Sequence, residues 1–155
     1  MNLERVNEII DAYGADPACS LVVLQEIQQE NNFLPREALE LVSERLKIPR
    51  GQVFGLATFY RTFSLKPKGK FRVRVCLGTA CHVHGGPTIL ESFERQLGIR
   101  AGESTPDGLF SLEASSCMGA CAQAPYMQVN EEPHNQVTPV HAGEVVKTYS
   151  ARGKA

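Results

Sequence analysis

The chain has 155 residues, 43% hydrophobic content and a formal charge of −1. That length can bury the core of one medium domain or two small ones. The longest aliphatic run, Leu21 to Leu24, falls far short of the ~20 apolar residues that cross a bilayer, and acids and bases mixed along the chain exclude the basic footprint of a nucleic-acid binder.

The first residues, Met1 to Asn7, lack a basic region followed by an apolar stretch, so no secretory signal is expected and the thiols should stay reduced in the cytoplasm. Up to about Phe63 the apolar spacing is helical. Leu3, Val6, Ile9, Ile10 and Tyr13 form one stripe, and Asp16-Pro17 opens a second helix that carries Leu21, Val22 and Leu24. Pro35 starts a third helix, carrying Ala38, Leu41, Val42 and an inward-leaning Leu46, and Pro49 a fourth, with Val53, Leu56, Ala57 and Tyr60. Proline is tolerated in a first helical turn because its missing N–H has no partner to lose there. Four short helices packed together are the simplest outcome. Phe59, Tyr60 and Phe63 close this half and suit either a core or a subunit contact.

The bridge Leu65 to Lys70 is polar and contains proline and glycine, which places a boundary between 1–66 and 67–155. Beyond it the period changes to two. Phe71, Val73 and Val75 alternate with Arg72 and Arg74 and run into Cys76, so a strand delivers that cysteine to a loop. A helical stripe follows at Ile89, Leu90, Phe93 and Leu97, and Thr105-Pro106-Asp107-Gly108 is a turn. Phe110, Leu112 and Ala114 form a second strand ending ahead of Cys117, Tyr126 to Val129 a third, and Gly143 to Tyr149 a final helix. Glu131-Glu132 reads as a solvated turn. The order describes a small α/β domain with chemistry at its strand ends.

That chemistry is sulfur. Cys76 and Cys81 are spaced C-x4-C, Cys117 and Cys121 are spaced C-x3-C, and both pairs are rich in glycine and alanine. Iron and soft metals such as zinc prefer thiolate donors, and short gaps let one loop supply two ligands. Gly78 and Gly119 let the backbone curl around a core and aim N–H groups at sulfur. Structural zinc sites close one tetrahedron and favour knuckle-like turns, whereas a [2Fe–2S] core takes two thiolates at each of two irons and suits the wider gaps. Iron–sulfur is the preferred reading, and a zinc-stabilised interaction module is the alternative. A thiol–disulfide enzyme is disfavoured by the absence of C-x-x-C. Cys19, alone on a helical pattern, reads as core filling. His82 and His84 flank a ligand but are not needed once four cysteines complete the shell.

Val75 to His82 with Gly85, Thr105 to Gly108, Cys117 to Cys121 with Ala124-Pro125, and in the helical half Leu24 to Gln28, Leu34-Pro35 and Ala57 to Tyr60 with Phe63 resemble the thioredoxin-like [2Fe–2S] subunit family of NADH dehydrogenases. That family includes the subunits of respiratory complex I, NAD-linked hydrogenases and formate dehydrogenases. The resemblance implies an N-terminal helical bundle over 1–66 that docks on a partner. It implies a thioredoxin-like ferredoxin domain over 67–155 carrying the cluster on loops, with Cys76, Cys81, Cys117 and Cys121 as ligands. It further implies one-electron transfer beside a flavoprotein subunit that binds FMN and NAD(H), together with further iron–sulfur subunits. No G-x-G-x-x-G and no P-loop occurs here, so this chain is not expected to oxidise NADH alone.

Overall fold

The computed structural model describes residues 2–154. Contacts divide the chain into two compact units, one ending at Pro67 and the other beginning at Lys68.

The first unit is helical. The Asn2 side chain accepts the Glu4 N–H at 3.0 Å and caps α1 (Leu3–Ala12), whose buried residues are Val6, Ile9 and Ile10. Leu3 is exposed, so the inward stripe is narrower than the spacing suggested. Asp16 caps a 3-10 turn, Pro17–Cys19, that feeds α2 (Ser20–Asn31). The buried residues of α2 are Val23, Leu24 and Ile27, while Val22 is exposed. Cys19 packs against this core from the turn. Pro35 and Pro49 are the N-cap residues of α3 (Arg36–Leu46) and α4 (Arg50–Phe59), one place earlier than expected. Their extended backbone is where proline's fixed φ suits a helix entry. Beyond α4 the chain is tied back to α2: Gln28 Oε1 accepts the Ser64 N–H at 2.7 Å. Phe63 is thereby buried, whereas Phe59 is 79% exposed.

The second unit is built on one sheet of four strands in the order β2-β1-β3-β4. They are β1 (Phe71–Cys76), β2 (Phe110–Ser115), β3 (Met127–Val129) and β4 (Glu132–His134). β1 runs parallel to β2 with Cys76 opposite Ser115. It runs antiparallel to β3 with Val75 opposite Met127, and β3 is antiparallel to β4. The parallel pair needs a crossover, supplied by α5 (Thr79–Val83) and α6 (Gly86–Leu97). The turn before β2 closes with the Gly108 N–H on the Thr105 carbonyl at 2.9 Å, and Asp107 Oδ1 accepts the Leu109 N–H at 2.9 Å. The final helix, α7 (Pro139–Lys154), is longer than the expected Gly143 to Tyr149.

Period-two alternation puts Phe71, Val73 and Val75 on one face of β1 and Arg72, Arg74 and Cys76 on the other. The valine face packs with Ile89 and Phe93 of α6 and with Ala142, Val145 and Tyr149 of α7. Each of the buried valine, isoleucine and phenylalanine side chains contributes about 1.5–3 kcal/mol. Glu132 opens the short edge strand β4 where a solvated turn was expected, with only Glu131 left in the turn.

Candidate metal centre

β1 ends at Cys76 with its side chain buried, at 3% exposure. The strand is held in register to its last residue: the Cys76 N–H donates to the Tyr126 carbonyl at 3.1 Å, and the Leu77 N–H donates to Ser115 of β2 at 2.7 Å. Gly78 then turns the chain into α5, which carries Cys81 inward at 2% exposure. The second pair follows β2. Cys117 lies just past the strand, Gly119 adopts φ +79°, and Cys121 starts a 3-10 turn, Cys121–Gln123. The left-handed backbone at Gly119 is one that residues with a Cβ rarely adopt. It aims the Gly119 N–H at Cys117 Sγ, 3.4 Å away.

The two loops meet. A Cβ on Gly78 would lie 2.9 Å from Cys117 Cα and 3.0 Å from Cys117 Cβ, so only glycine lets the first loop approach the second. Within the second pair, Cys117 Sγ and Cys121 Sγ are 3.5 Å apart. The Cys76 thiol donates to the Ser116 carbonyl at 3.7 Å, which ties the end of β1 to the residue preceding Cys117. Cys76, Cys81 and Tyr126 form a small apolar cluster against which Met118, Ala120 and Ala124 pack.

The thiols differ in acidity for identifiable reasons. Burial pushes the Cys81 thiol up, partly offset by the Tyr126 backbone N–H that it accepts. The Gly119 N–H, followed by the Cys121 side chain, brings Cys117 below the ordinary thiol range. The hydrogen bond with Cys117 pushes Cys121 up. Cys117 is therefore the thiol of its pair that loses a proton first. A metal ligates thiolates, so its binding would release the rest.

The site is built as two pairs, one buried at Cys76 and Cys81 and one exposed at Cys117 and Cys121. Among the described residues no three His, Cys, Asp or Glu side chains gather around a point that would hold a single ion. A diiron core takes two thiolates per iron, and a donor set of four thiols in two pairs, with N–H groups and a glycine cradle around it, fits that group. Cys19, partly buried, packs against the helical unit's core. His82 and His84 are exposed. The shallow cleft beside α6, lined by Glu91, Arg95, Arg100 and Glu103, contains no cysteine.

Tyr126 is the participant that the sequence did not announce. Its carbonyl, its N–H and its ring all serve the first pair. The available signal was its position, directly after Ala124-Pro125 and at the head of a strand.

Strand order and crossover are those of a thioredoxin-like fold, with the two thiol pairs following the ends of its parallel strands. The family model for thioredoxin-like [2Fe-2S] ferredoxins matches residues 6–150, and the chain belongs to that family. A [2Fe–2S] cluster is accordingly its cofactor. Among curated relatives, the chain is 38% identical over 145 residues to the HndA component of an NADP-reducing hydrogenase from Solidesulfovibrio fructosivorans, covering 94% of this chain and 85% of that one. It is 34% identical over 146 residues to a component of the NADH-quinone oxidoreductase of Aquifex aeolicus, covering 94% and 91%. Among solved structures, an air-oxidized NAD+-reducing [NiFe]-hydrogenase shares the fold with a TM-score of 0.74 at 21% identity. That match covers 86% of this chain and 23% of the hydrogenase chain.

Proposed function

We propose that this chain is a one-electron carrier within a multi-subunit NAD(P)-linked oxidoreductase, holding its [2Fe–2S] cluster through Cys76, Cys81, Cys117 and Cys121. The observation that carries the reading is the approach of the two cysteine loops, with Gly78 set against Cys117. The cluster supplies single-electron storage, with a formal charge near −2 when oxidised and about −3 when reduced. The protein's part is to solvate that anion. The Gly119 N–H faces Cys117, the Tyr126 N–H faces Cys81, and Met118 with Ala120 limits water on the buried side. The exposed pair, Cys117 and Cys121, presents the edge through which a partner would exchange an electron.

Hydride chemistry belongs elsewhere in this reading. Two-electron oxidation of a nicotinamide needs a flavin or another hydride acceptor, so the partner is a flavoprotein subunit that binds FMN and NAD(H), with further iron–sulfur subunits accepting electrons in turn. The names of the relatives support this, since one is part of a hydrogenase and another part of a quinone oxidoreductase. No helix among the described residues is long and apolar enough to cross a membrane. In this reading the chain works in the cytoplasm, free or on the periphery of a membrane complex.

Anaerobically purified protein should contain about two irons and two acid-labile sulfides, with a visible absorption that bleaches on reduction. Serine at any of the four positions should lower that content at least several-fold, while Cys19→Ser should leave it unchanged. A colourless protein with one zinc would establish the alternative, a zinc-stabilised module.

A further inference from the structure

Arg74 is the last outward-facing residue of β1 before Cys76, and alternation puts both side chains on the same face of the sheet. Two residues at the rise of an extended strand separate their Cα atoms by roughly 6.6 Å. The guanidinium is half-buried, and among the described residues its one hydrogen-bond partner is Gln128 Oε1, which accepts from Nη2 at 2.9 Å. Its Nε is shielded from water and has no partner among the described residues. The carboxylate directly across the ladder, Glu113, is paired with Lys68 instead. Gln128 in turn donates to Tyr126 Oη at 2.9 Å, and Tyr126 packs on Cys76 and Cys81. Among the described residues, a cation without a counter-ion therefore stands near the end of the strand that delivers the first thiol.

Withholding water from an uncompensated charge is unfavourable unless an opposite charge answers it. At this rim the four thiolates and their cluster supply that charge, and they become more negative on reduction.

We propose that Arg74 is an electrostatic tuning residue for the centre, raising its reduction potential by stabilising the reduced, more negative form. This inference rests on the cluster reading given above. Arg72 provides an internal comparison. It lies on the same face one pair farther back, about 13 Å from Cys76 along the strand, and its influence is correspondingly smaller.

The test is an EPR-monitored redox titration of the holoprotein with dithionite and mediators, with iron and sulfide assayed on the same samples. In Arg74→Gln, the equilibrium constant for one-electron reduction should fall roughly tenfold, a shift of about 59 mV to more negative potential. Arg74→Lys, which keeps the charge, should stay within about threefold of the wild type, and Arg72→Gln should move less than Arg74→Gln. Glu113→Gln, which removes a negative charge from the same face, should shift the potential in the positive direction; it reads the same field if Arg74→Gln does not fold. A fully loaded Arg74→Gln with an unchanged potential would overturn the proposal, as would equal shifts in the Gln and Lys variants or an unmoved Glu113→Gln. Wild-type protein without iron and sulfide would instead sink the cluster reading, and this inference with it.

Discussion

At Gly78 it is the absence of a side chain that counts. The sequence marked Gly78 and Gly119 alike as residues that let a backbone aim N–H groups at sulfur, and for Gly119 the geometry agrees, with its N–H 3.4 Å from Cys117 Sγ. Gly78 has ordinary negative φ, and its role is steric: it is where the two cysteine loops touch. Gly78→Ala would place a methyl group against backbone that cannot swing aside, an overpacking penalty of about 1–3 kcal/mol. The loops would part, and cluster content should fall several-fold. Iron and sulfide per chain, compared with a Gly55→Ala control on α4, where an added Cβ meets nothing within 4 Å and the backbone is helical, would check this. Full loading of Gly78→Ala would mean that the loops need not approach so closely. The cysteine spacing was legible because it is local. Contact between residues 78 and 117 was not, since nothing in either loop encodes which distant backbone it meets.

The elements show the same division between local and distant signals. Strands β1 and β2 were readable from alternation, and α6 from its apolar stripe. β4 was hidden because Glu132-Pro133-His134 has neither alternation nor β-branched residues; an edge strand accepts proline where a central one does not. The start of α7 was obscured by Gly143, although Pro139 marks it in the position proline favours. β4 and α7 are joined by a polar chain that no single segment reveals. His141 Nε2 lies 3.4 Å from His134 Nδ1, His134 Nε2 lies 3.4 Å from Tyr149 Oη, and Tyr149 Oη donates to Glu132, which also pairs with Arg152 at 3.5 Å. Burial, aided by His141 and Arg152 and opposed by Glu132, holds His134 below the usual histidine range. Between that depressed value and about 6.5, the ordinary imidazole pKa, the unfolded chain binds more protons than the folded one. This contribution to stability is therefore complete above about pH 6.5 and is lost as pH falls through the depressed value. Thermal unfolding followed by circular dichroism should show stability rising from pH 5 to pH 7 less steeply in His134→Gln than in the wild type. The difference should lie below about 1.4 kcal/mol per pH unit, the ceiling for one proton, because water screens a half-exposed ring. Identical slopes would remove His134 from the account.

Across the whole molecule, each unit has an apolar core of its own, and the four cysteines assigned to the centre all lie in the unit that begins at Lys68. The family resemblance leads us to expect partner docking from the helical unit, and one residue there is conspicuous. Phe59 ends α4 and is 79% exposed, with its ring edge-on to Tyr60 at 5.1 Å between centroids, while Phe63 nearby is buried. The sequence left this aromatic trio between core and contact, and it divides: Phe63 serves the core, and Phe59 does not. Large exposed aromatics are the residues from which interface hot spots are drawn. A surface substitution away from any buried contact changes stability by no more than about 0.5 kcal/mol, so Phe59→Ser should unfold with the wild type and retain its iron and sulfide. Its affinity for the flavoprotein partner should fall at least tenfold, or about 1.4 kcal/mol, as read by co-purification of tagged protein at graded salt and by biosensor titration. Phe63→Ser provides the contrast, since it opens the helical core and should lower the unfolding temperature before any question of binding arises. If Phe59→Ser binds its partner as tightly as the wild type, docking does not run through the end of α4, and the helical unit must present another face.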